Sequence, residues 1–327
     1  MNITIIGDVM LDIYHMGKID RISPEAPIPV FDELNKIPKL GGAANLAANI
    51  KSILPDHTVN LIMKNISYKN DEMYKMFLDL LVSNNVNLFR LGSYEELVRK
   101  HRFIDIRNYH QIGLRLDIDK SIKRNSINIE NKSSLYNNLF DIVNNSSIIV
   151  FSDYCKGIFD DILIDNLLLS QWVLNIVEDK IQVKTFLDSR NSDLSKFKNV
   201  NYFKPNNKEY ELFQKFKPFC YLYFQKILHT MSENGMRLLH IDNNQNEKEI
   251  KKINSMAKNI VDPTGAGDTA MAGFIYGIVN NMDDVESMYI ANALSSISCS
   301  KFGTYVVKQE DLIDAFKIIE DYKTKNP

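Results

Sequence analysis

The segment Asp262-Pro263-Thr264-Gly265-Ala266-Gly267-Asp268-Thr269 holds the residue types that phosphoryl transfer requires. Pro263 cannot continue a strand ladder and pushes Asp262 into an extended conformation. Gly265 and Gly267 let the backbone turn tightly and come close to a ligand. The small, apolar run over residues 269–278, with Gly273 and Gly277 inside it, reads as a closely packed helix. A glycine turn therefore meets a helix N-terminus, where unpaired N–H groups and the helix dipole favour an anion. A migrating phosphoryl group accumulates charge and needs such a cradle, together with a carboxylate near the attacking hydroxyl. Asp268 sits at the mouth of the turn. Taken alone it fits two roles, a general base or a helix N-terminal acid with only a stabilising effect.

A second constellation lies near the start of the chain. Residues 3–6 read as a strand running into Gly7-Asp8-Val9-Met10-Leu11-Asp12. That puts two carboxylates at a strand's carboxyl end, where open α/β sheets bind ligands. Leu40-Gly41-Gly42-Ala43-Ala44-Asn45 is a glycine turn opening a small-residue helix. Asp12, Gly42 and Asn45 fit a pocket for sugar hydroxyls; equally, the glycines fit close helix–sheet packing and nothing more. No G-x-x-x-x-G-K-[ST] occurs, and no G-x-G-x-x-G follows the first strand, which argues against a P-loop and a dinucleotide fingerprint.

These residues need a scaffold, and the pattern supplies one. Residues 3–6, 147–151, 185–187 and 200–203 are short, apolar and β-rich, as buried parallel strands are. Residues 71–82 and 162–177 carry apolar positions every three or four residues, as helices do. Alternation of the two predicts an α/β fold with a doubly wound, mostly parallel sheet. Two stretches break the rhythm. Residues 14–34 contain Pro24, Pro27 and Pro29, too many for a helix or a central strand. In residues 98–119 the period is two, with Ile112, Leu114, Leu116 and Ile118 alternating with polar residues after a turn at 108–110. The two stretches predict a small β-lid, spanning about 13–38 and 98–119, on a single domain of residues 1–327. Residues 120–138 and 243–252, rich in Asn and Lys, are expected to be solvated loops and helix ends.

Bulk properties narrow the class. The 327 residues carry a formal net charge of −2, with 45% hydrophobic and 24% charged residues. That is ordinary globular composition, with no basic block for nucleic acid and no polybasic stretch for a membrane surface. Cys155, Cys220 and Cys299 form no pair at metal-ligand spacing and read as reduced thiols. The first residues read as a strand rather than a signal peptide, so a cytoplasmic location is expected.

The two glycine turns, in this order and at this separation, resemble the N- and C-terminal signatures of the PfkB/ribokinase family of sugar kinases. Gly7–Asp12, Arg21-Ile22-Ser23-Pro24-Glu25-Ala26-Pro27-Ile28-Pro29-Val30 and Ser152-Asp153-Tyr154-Cys155-Lys156-Gly157 resemble the kinase part of the ADP-heptose synthesis enzymes, which phosphorylate C1 of D-glycero-D-manno-heptose 7-phosphate. The resemblance implies a ribokinase-like fold and ATP-dependent transfer to that hydroxyl. It makes Asp268 the base, and makes the amides of Gly265, Ala266 and Gly267 the anion hole. Asp12, Gly42 and Asn45 then line the sugar pocket, with Arg21, Lys100, Arg102, Arg107 and Lys156 as candidate cations for the sugar's own phosphate. On the ATP side it implies Thr264, Asn206, Glu209, Thr230, Ser232, Gly235, Asn292 and Gly303, with Glu209 reaching Mg²⁺ through water. It also implies ATP, Mg²⁺ and a phosphorylated sugar as ligands, allows a monovalent cation, and suggests a homodimer through the lid.

Three departures stand out. Asp188-Ser189-Arg190 replaces Asp-Pro-Lys, the Gly-x-Asp-x-x-Gly expected within residues 64–73 is missing, and the chain between Glu209 and Thr230 is short. No H-x-G-H of a nucleotidyltransferase follows, so the expectation is the kinase step alone. Two other readings stay open: a family kinase with a different acceptor, or a binding protein that has lost efficient turnover.

Overall fold

Strands that are apolar on both faces cannot be left against water, so they gather at the middle of the molecule. A computed structural model of the chain describes residues 1–66, 72–94, 96–109, 111–119, 141–160, 183–191, 193–194, 197, 200–215, 224–242, 244 and 246–326. Their central strands are β1 (Asn2–Gly7), β4 (Thr58–Ile66), β8 (Ile148–Asp153), β9 (Lys184–Ser189) and β10 (Val200–Phe203). With β5 (Asn87–Tyr94), β11 (Phe224–Thr230), β12 (Met236–Ile241) and β13 (Glu247–Ile253) they form one sheet, in the order β13-β12-β11-β10-β9-β8-β1-β4-β5. Pairing is parallel from β5 to β11 and antiparallel at β12 and β13. Since β4 and β8 flank β1 on opposite sides, the carboxyl end of β1 is a switch point, the place where such sheets bind ligands.

The side chains of β1 divide between the faces. Ile3 and Ile5 pack into one core and Ile6 into the other. The first core is covered by α1 (Ala43–Ile53), α4 (Ala266–Val279), α5 (Asp284–Cys299) and α6 (Gln309–Lys325), with Tyr74, Phe77 and Leu81 of α2 (Glu72–Ser83). The second takes Tyr210 and Phe213 from α3 (Asn207–Lys215). Three of the helices show a local reason for where they begin. Gly42 at φ 58° turns β3 (Pro29–Gly42) into α1, and Gly265 at φ 83° does the same for α4. Asp283 caps α5 by accepting from the Glu286 amide, and Glu286 returns a bond to the Asp283 amide. The predicted helix at 162–177 and loop at 120–138 lie outside the described residues, as does Cys220.

The lid is a second sheet, ordered β3-β2-β6-β7, from β2 (Val9–Ile22), β3, β6 (Val98–Asp105) and β7 (Gln111–Ile118). Pro29 starts an edge strand and Pro38 lies within it, positions where a missing N–H is tolerated. Pro24 and Pro27 fall in the connection, closed by the Ser23 amide donating to the Ile28 carbonyl at 2.8 Å. One expectation needs correction. Residues 247–253 are a strand rather than a loop; the signal was hidden because this edge strand carries Lys and Glu where alternating apolar residues would mark it. On β7 the alternation does mark a strand, but Leu114 and Leu116 remain 59% and 48% exposed, so nothing described in this chain covers that apolar face. Among the described residues no helix is long and apolar enough to cross a membrane.

Helices α4 and α5 pack closely through glycine. A Cβ on Gly277 would lie 2.7 Å from the Ser287 Cα, and one on Gly273 would lie 3.0 Å from the Ala291 Cα. Gly277→Ala is expected to lower unfolding stability by about 1–3 kcal/mol, the usual cost of forcing extra volume into a packed contact. Urea unfolding followed by far-UV circular dichroism measures it. A variant as stable as the parent would show that α4 and α5 can separate freely.

Candidate active site

One residue, Asp8, joins the body strand β1 to the lid strand β2. Its amide donates to the Ser152 carbonyl at the end of β8, and its carbonyl accepts from the Ala43 amide at the start of α1. Its carboxylate accepts three main-chain N–H groups, from Tyr154 and Lys156 at 2.9 Å and from Ile158 at 3.1 Å. Burial nevertheless dominates and pushes the Asp8 carboxyl up to about 6, the three bonds pulling the other way. The loop after β8 is thus held in one shape, with Cys155 at φ 56° and Gly157 at φ 94°.

That loop presents Tyr154 to Asp268. The Tyr154 hydroxyl donates to Asp268 Oδ1 at 2.6 Å, and Asn45 Nδ2 donates to Asp268 Oδ2 at 2.8 Å. Asp268 stands in the first turn of α4 and is only 4% exposed. Burial pushes its carboxyl up to about 6, against the two hydrogen bonds from Asn45 and Tyr154; Asp188 adds to the rise and Lys204 opposes it. A carboxylate poised in this way is ionised at neutral pH yet more basic than an ordinary aspartate, as a general base should be. Asn45 is itself held by Asn49, whose Nδ2 donates to its Oδ1 at 3.1 Å. It therefore orients Asp268, with both ends of its amide engaged.

The glycine turn sits where the sequence placed it. A Cβ on Gly265 would lie 2.9 Å from Asn45 Nδ2, so only glycine fits there. The Ala266 amide donates to the Pro263 carbonyl at 3.2 Å and closes the turn. Lys204 Nζ lies 3.4 Å from where a Gly267 Cβ would be, which puts a buried cation over the cradle. Burial opposes the Lys204 charge, but Asp188, at 2.9 Å, and Glu209 outweigh it and leave the ammonium's pKa raised. Lys204 was not singled out in the sequence, although its place directly after β10, on the ligand edge of the sheet, was a usable signal. Tyr154 was legible only as part of a longer motif.

The side of the site formed by β2 and β6 is charged. Asp12, 2% exposed, accepts from both Nε and Nη2 of Arg102 at 3.0 Å, and Lys100 sits opposite it in the β2–β6 register. Burial lowers the Lys100 pKa against the pull of Asp12, with Arg190, Arg102 and Arg115 adding positive charge nearby. Gly42 carries no Cβ because one would meet the Asp8 carbonyl at 2.6 Å. Each of the remaining cation candidates is paired with a carboxylate. Arg21 lies at the far end of the lid, about 30 Å along β2 from Asp12, beside Asp32 at 3.8 Å. Arg107 pairs with Asp105 and Asp20, and Lys156 pairs with Asp119.

On the other flank, Asn206 and Glu209 form a reciprocal cap on α3. Glu209 Oε2 accepts from the Asn206 amide at 2.8 Å, and Asn206 Oδ1 accepts from the Glu209 amide at 3.0 Å. Glu209 is raised first by burial and then by Asp188, so two carboxylates face each other across Lys204. This donor set suits a divalent ion that arrives with ATP, because added positive charge relieves that repulsion. Among the described residues no group of three His, Cys, Asp or Glu side chains could hold a metal by itself. The Thr230 amide donates to the Pro205 carbonyl at 2.9 Å, which places it beside Asn206, and Ser232 and Gly235 form the turn before β12. Asp262 ties the Thr264 amide at 2.9 Å to the Gly303 amide at 3.2 Å. Asn292 spends its side-chain amide on the main chain of Asn254 and Met256, so it shapes that loop from beneath.

A family model described as pfkB family carbohydrate kinase matches residues 118–311, more than half of the chain. The chain belongs to the pfkB family of carbohydrate kinases. It is an ATP-dependent carbohydrate kinase by that membership. The bifunctional protein HldE of Haemophilus influenzae is 30% identical over 328 residues, covering 96% of this kinase and 63% of that protein. The bifunctional protein HldE of Campylobacter curvus is 27% identical over 328 residues, covering 93% and 62%. The kinase thus spans under two thirds of the length of these relatives. Escherichia coli phosphofructokinase-2 shares its fold at a TM-score of 0.67 and 15% identity, over 98% of this chain and 99% of that one. Thermotoga maritima ribokinase does so at 0.66 and 15%, over 96% and 99%.

Two outcomes follow for Asp268. Asp268→Asn is expected to cut kcat by about 10²–10⁴-fold, the contribution of a general base. Only the ionised carboxylate accepts a proton, so activity is expected to fall as pH drops through about 6. A pH profile of ADP release tests both; full activity in the variant would remove Asp268 from the chemistry.

Proposed function

We propose that this kinase transfers the γ-phosphoryl group of ATP to the C1 hydroxyl of D-glycero-D-manno-heptose 7-phosphate, giving the 1,7-bisphosphate. The observation that carries a phosphorylated acceptor is Lys100. It is half-buried beside Asp12, in the field of Arg102, Arg115 and Arg190, and no ion pair or hydrogen bond to it occurs among the described residues. Arg102 is committed to Asp12 and Arg115 to Asp117. An anion brought by the sugar would supply the counter-charge that Lys100 lacks. The heptose itself is supported by the motifs at Gly7–Asp12, Arg21–Val30 and Ser152–Gly157 and by similarity to the HldE proteins.

In this reading the acceptor hydroxyl lies between Asp268 and the γ-phosphorus. Its oxygen attacks phosphorus as its proton passes to the Asp268 carboxylate. The bond from the γ-phosphorus to the β–γ bridging oxygen breaks, and ADP leaves with the electron pair. With the Ala266 amide committed to the Pro263 carbonyl, the Gly267 and Asp268 amides and the Lys204 ammonium face the developing charge. Glu209 and Asp188 would hold a Mg²⁺ ion through water, and the ion would supply neutralising charge for the phosphates. Thr264, Gly303 and the 230–235 turn border the nucleotide. The exposed Leu114 and Leu116 on edge strand β7 support a homodimer through the lid, and sedimentation at micromolar concentration should give twice the mass of the chain; a monomer would remove that part of the reading.

The substrate is tested by ADP release with Mg²⁺-ATP against heptose 7-phosphate, fructose 6-phosphate, ribose and adenosine. Turnover confined to the heptose phosphate is expected. Lys100→Ala should raise KM for it by about 10- to 100-fold, the value of a charge-assisted hydrogen bond, with kcat nearly unchanged. Equal turnover of unphosphorylated ribose, or a KM indifferent to Lys100, would move the acceptor elsewhere.

A further inference from the structure

Tyr154 has no part in the reaction as described, yet it makes the shortest hydrogen bond to the base, at 2.6 Å. Three observations fix it in place. Its own amide is one of the three that Asp8 holds, so the main chain beneath the ring cannot shift without breaking that clamp. One edge of the ring meets Gly42, where a Cβ would stand 3.5 Å from Tyr154 Cε2. The Arg190 guanidinium lies over the ring, 4.4 Å from its centroid, while its Nε stands 3.9 Å from Glu209 Oε1. Arg190 belongs to the Ser189-Arg190 pair that departs from the sequence pattern of the ADP-heptose branch.

A side chain confined in this way stays on Asp268 when other groups arrive. Each carboxylate oxygen has two lone-pair sites, so Oδ1 can hold the Tyr154 hydroxyl and still accept the acceptor's proton. With Asn45 on Oδ2, the carboxylate is gripped at both oxygens and cannot rotate. We propose that Tyr154 is a positioning residue that keeps its hydrogen bond to Asp268 throughout turnover, fixing the direction and the basicity of the base, with Arg190 holding the ring from the nucleotide side. The groups that face this pair are Asn45 from α1, Asp188 from β9, Lys204 after β10 and Arg190. A cation over the ring makes the phenol a stronger donor, which favours the ionised carboxylate.

The inference rests on Asp268 being the base, and the experiment separates the two. Full pH profiles of kcat and kcat/KM are recorded for the parent, Tyr154→Phe and Asp268→Asn with the preferred acceptor. Loss of a hydrogen bond that favours the charged form raises the carboxyl's pKa. In Tyr154→Phe the acid limb should therefore move to higher pH by about one unit. The limb of kcat reports the enzyme–substrate complex and that of kcat/KM the free enzyme, so a bond kept through turnover moves both. A shift in kcat/KM alone would mean that Tyr154 leaves when substrate binds, and no shift would mean a structural role only; either overturns the proposal. Asp268→Asn retaining activity with the same acid limb would instead overturn the base itself. Asp8→Asn, which loosens the clamp without touching Asp268, should reproduce part of the Tyr154→Phe shift in both limbs. If Tyr154→Phe fails to fold, Asp8→Asn carries the test, and unchanged limbs in it count against the proposal.

Discussion

A carboxylate that works as a base inside a protein has to satisfy two opposed demands. Burial makes it basic, and burial also threatens its charge. Much of the architecture around Asp268 answers that conflict. The helix that carries it starts at Asp268's own turn, so the dipole favours the anion. Asn45 and Tyr154 donate to its two oxygens, and the Lys204 ammonium stands behind it. None of these partners is an isolated side chain. Asn45 is braced by Asn49 on the same helix, Tyr154 by the loop that Asp8 holds, and Lys204 by Asp188 on the neighbouring strand. The result is a carboxyl raised to about 6 rather than neutralised.

The geometry of the sheet explains why these groups meet at all. β1 ends between β4 and β8, and the chain leaves it through a single residue into the lid. Whatever sits at that point touches the body, the lid and the helix α1 together. Asp8 does so with its amide, its carbonyl and its carboxylate. Asp12 is four residues further on, where β2 already pairs with β3 and β6, and so the Asp12–Arg102 pair begins within one short segment of that junction.

The sequence announced some of this and concealed the rest. Glycine turns, strand–helix alternation and the period-two stretch at 98–119 are local signals, and they located α4, the parallel strands and the lid. Lys204 and Tyr154 escaped because nothing local distinguishes a lysine after a strand, or a tyrosine in a loop, from a surface residue. Their roles arise from neighbours 63 and 114 positions away along the chain. For Asn45, spacing shows that a polar group is present, and the structure adds that it donates to Asp268. Strand β13 was lost for a different reason: an edge strand guarded by charge looks like a solvated loop.

The register of β2 against β6 keeps one group of charged residues on a sheet of its own. Asp12, Lys100 and Arg102 all lie on these two lid strands, whereas Asp268, Asn45, Lys204 and Glu209 belong to the body. Side chains on the inner surface of the lid can therefore be exchanged in pairs, one on each strand, without moving a strand of the main sheet. Substitutions there would alter the charge that Asp12 and Lys100 present while leaving Asp268, Asn45, Lys204 and Glu209 in place. The single junction at Asp8 sets the limit of that freedom, because a change there is felt by both halves at once.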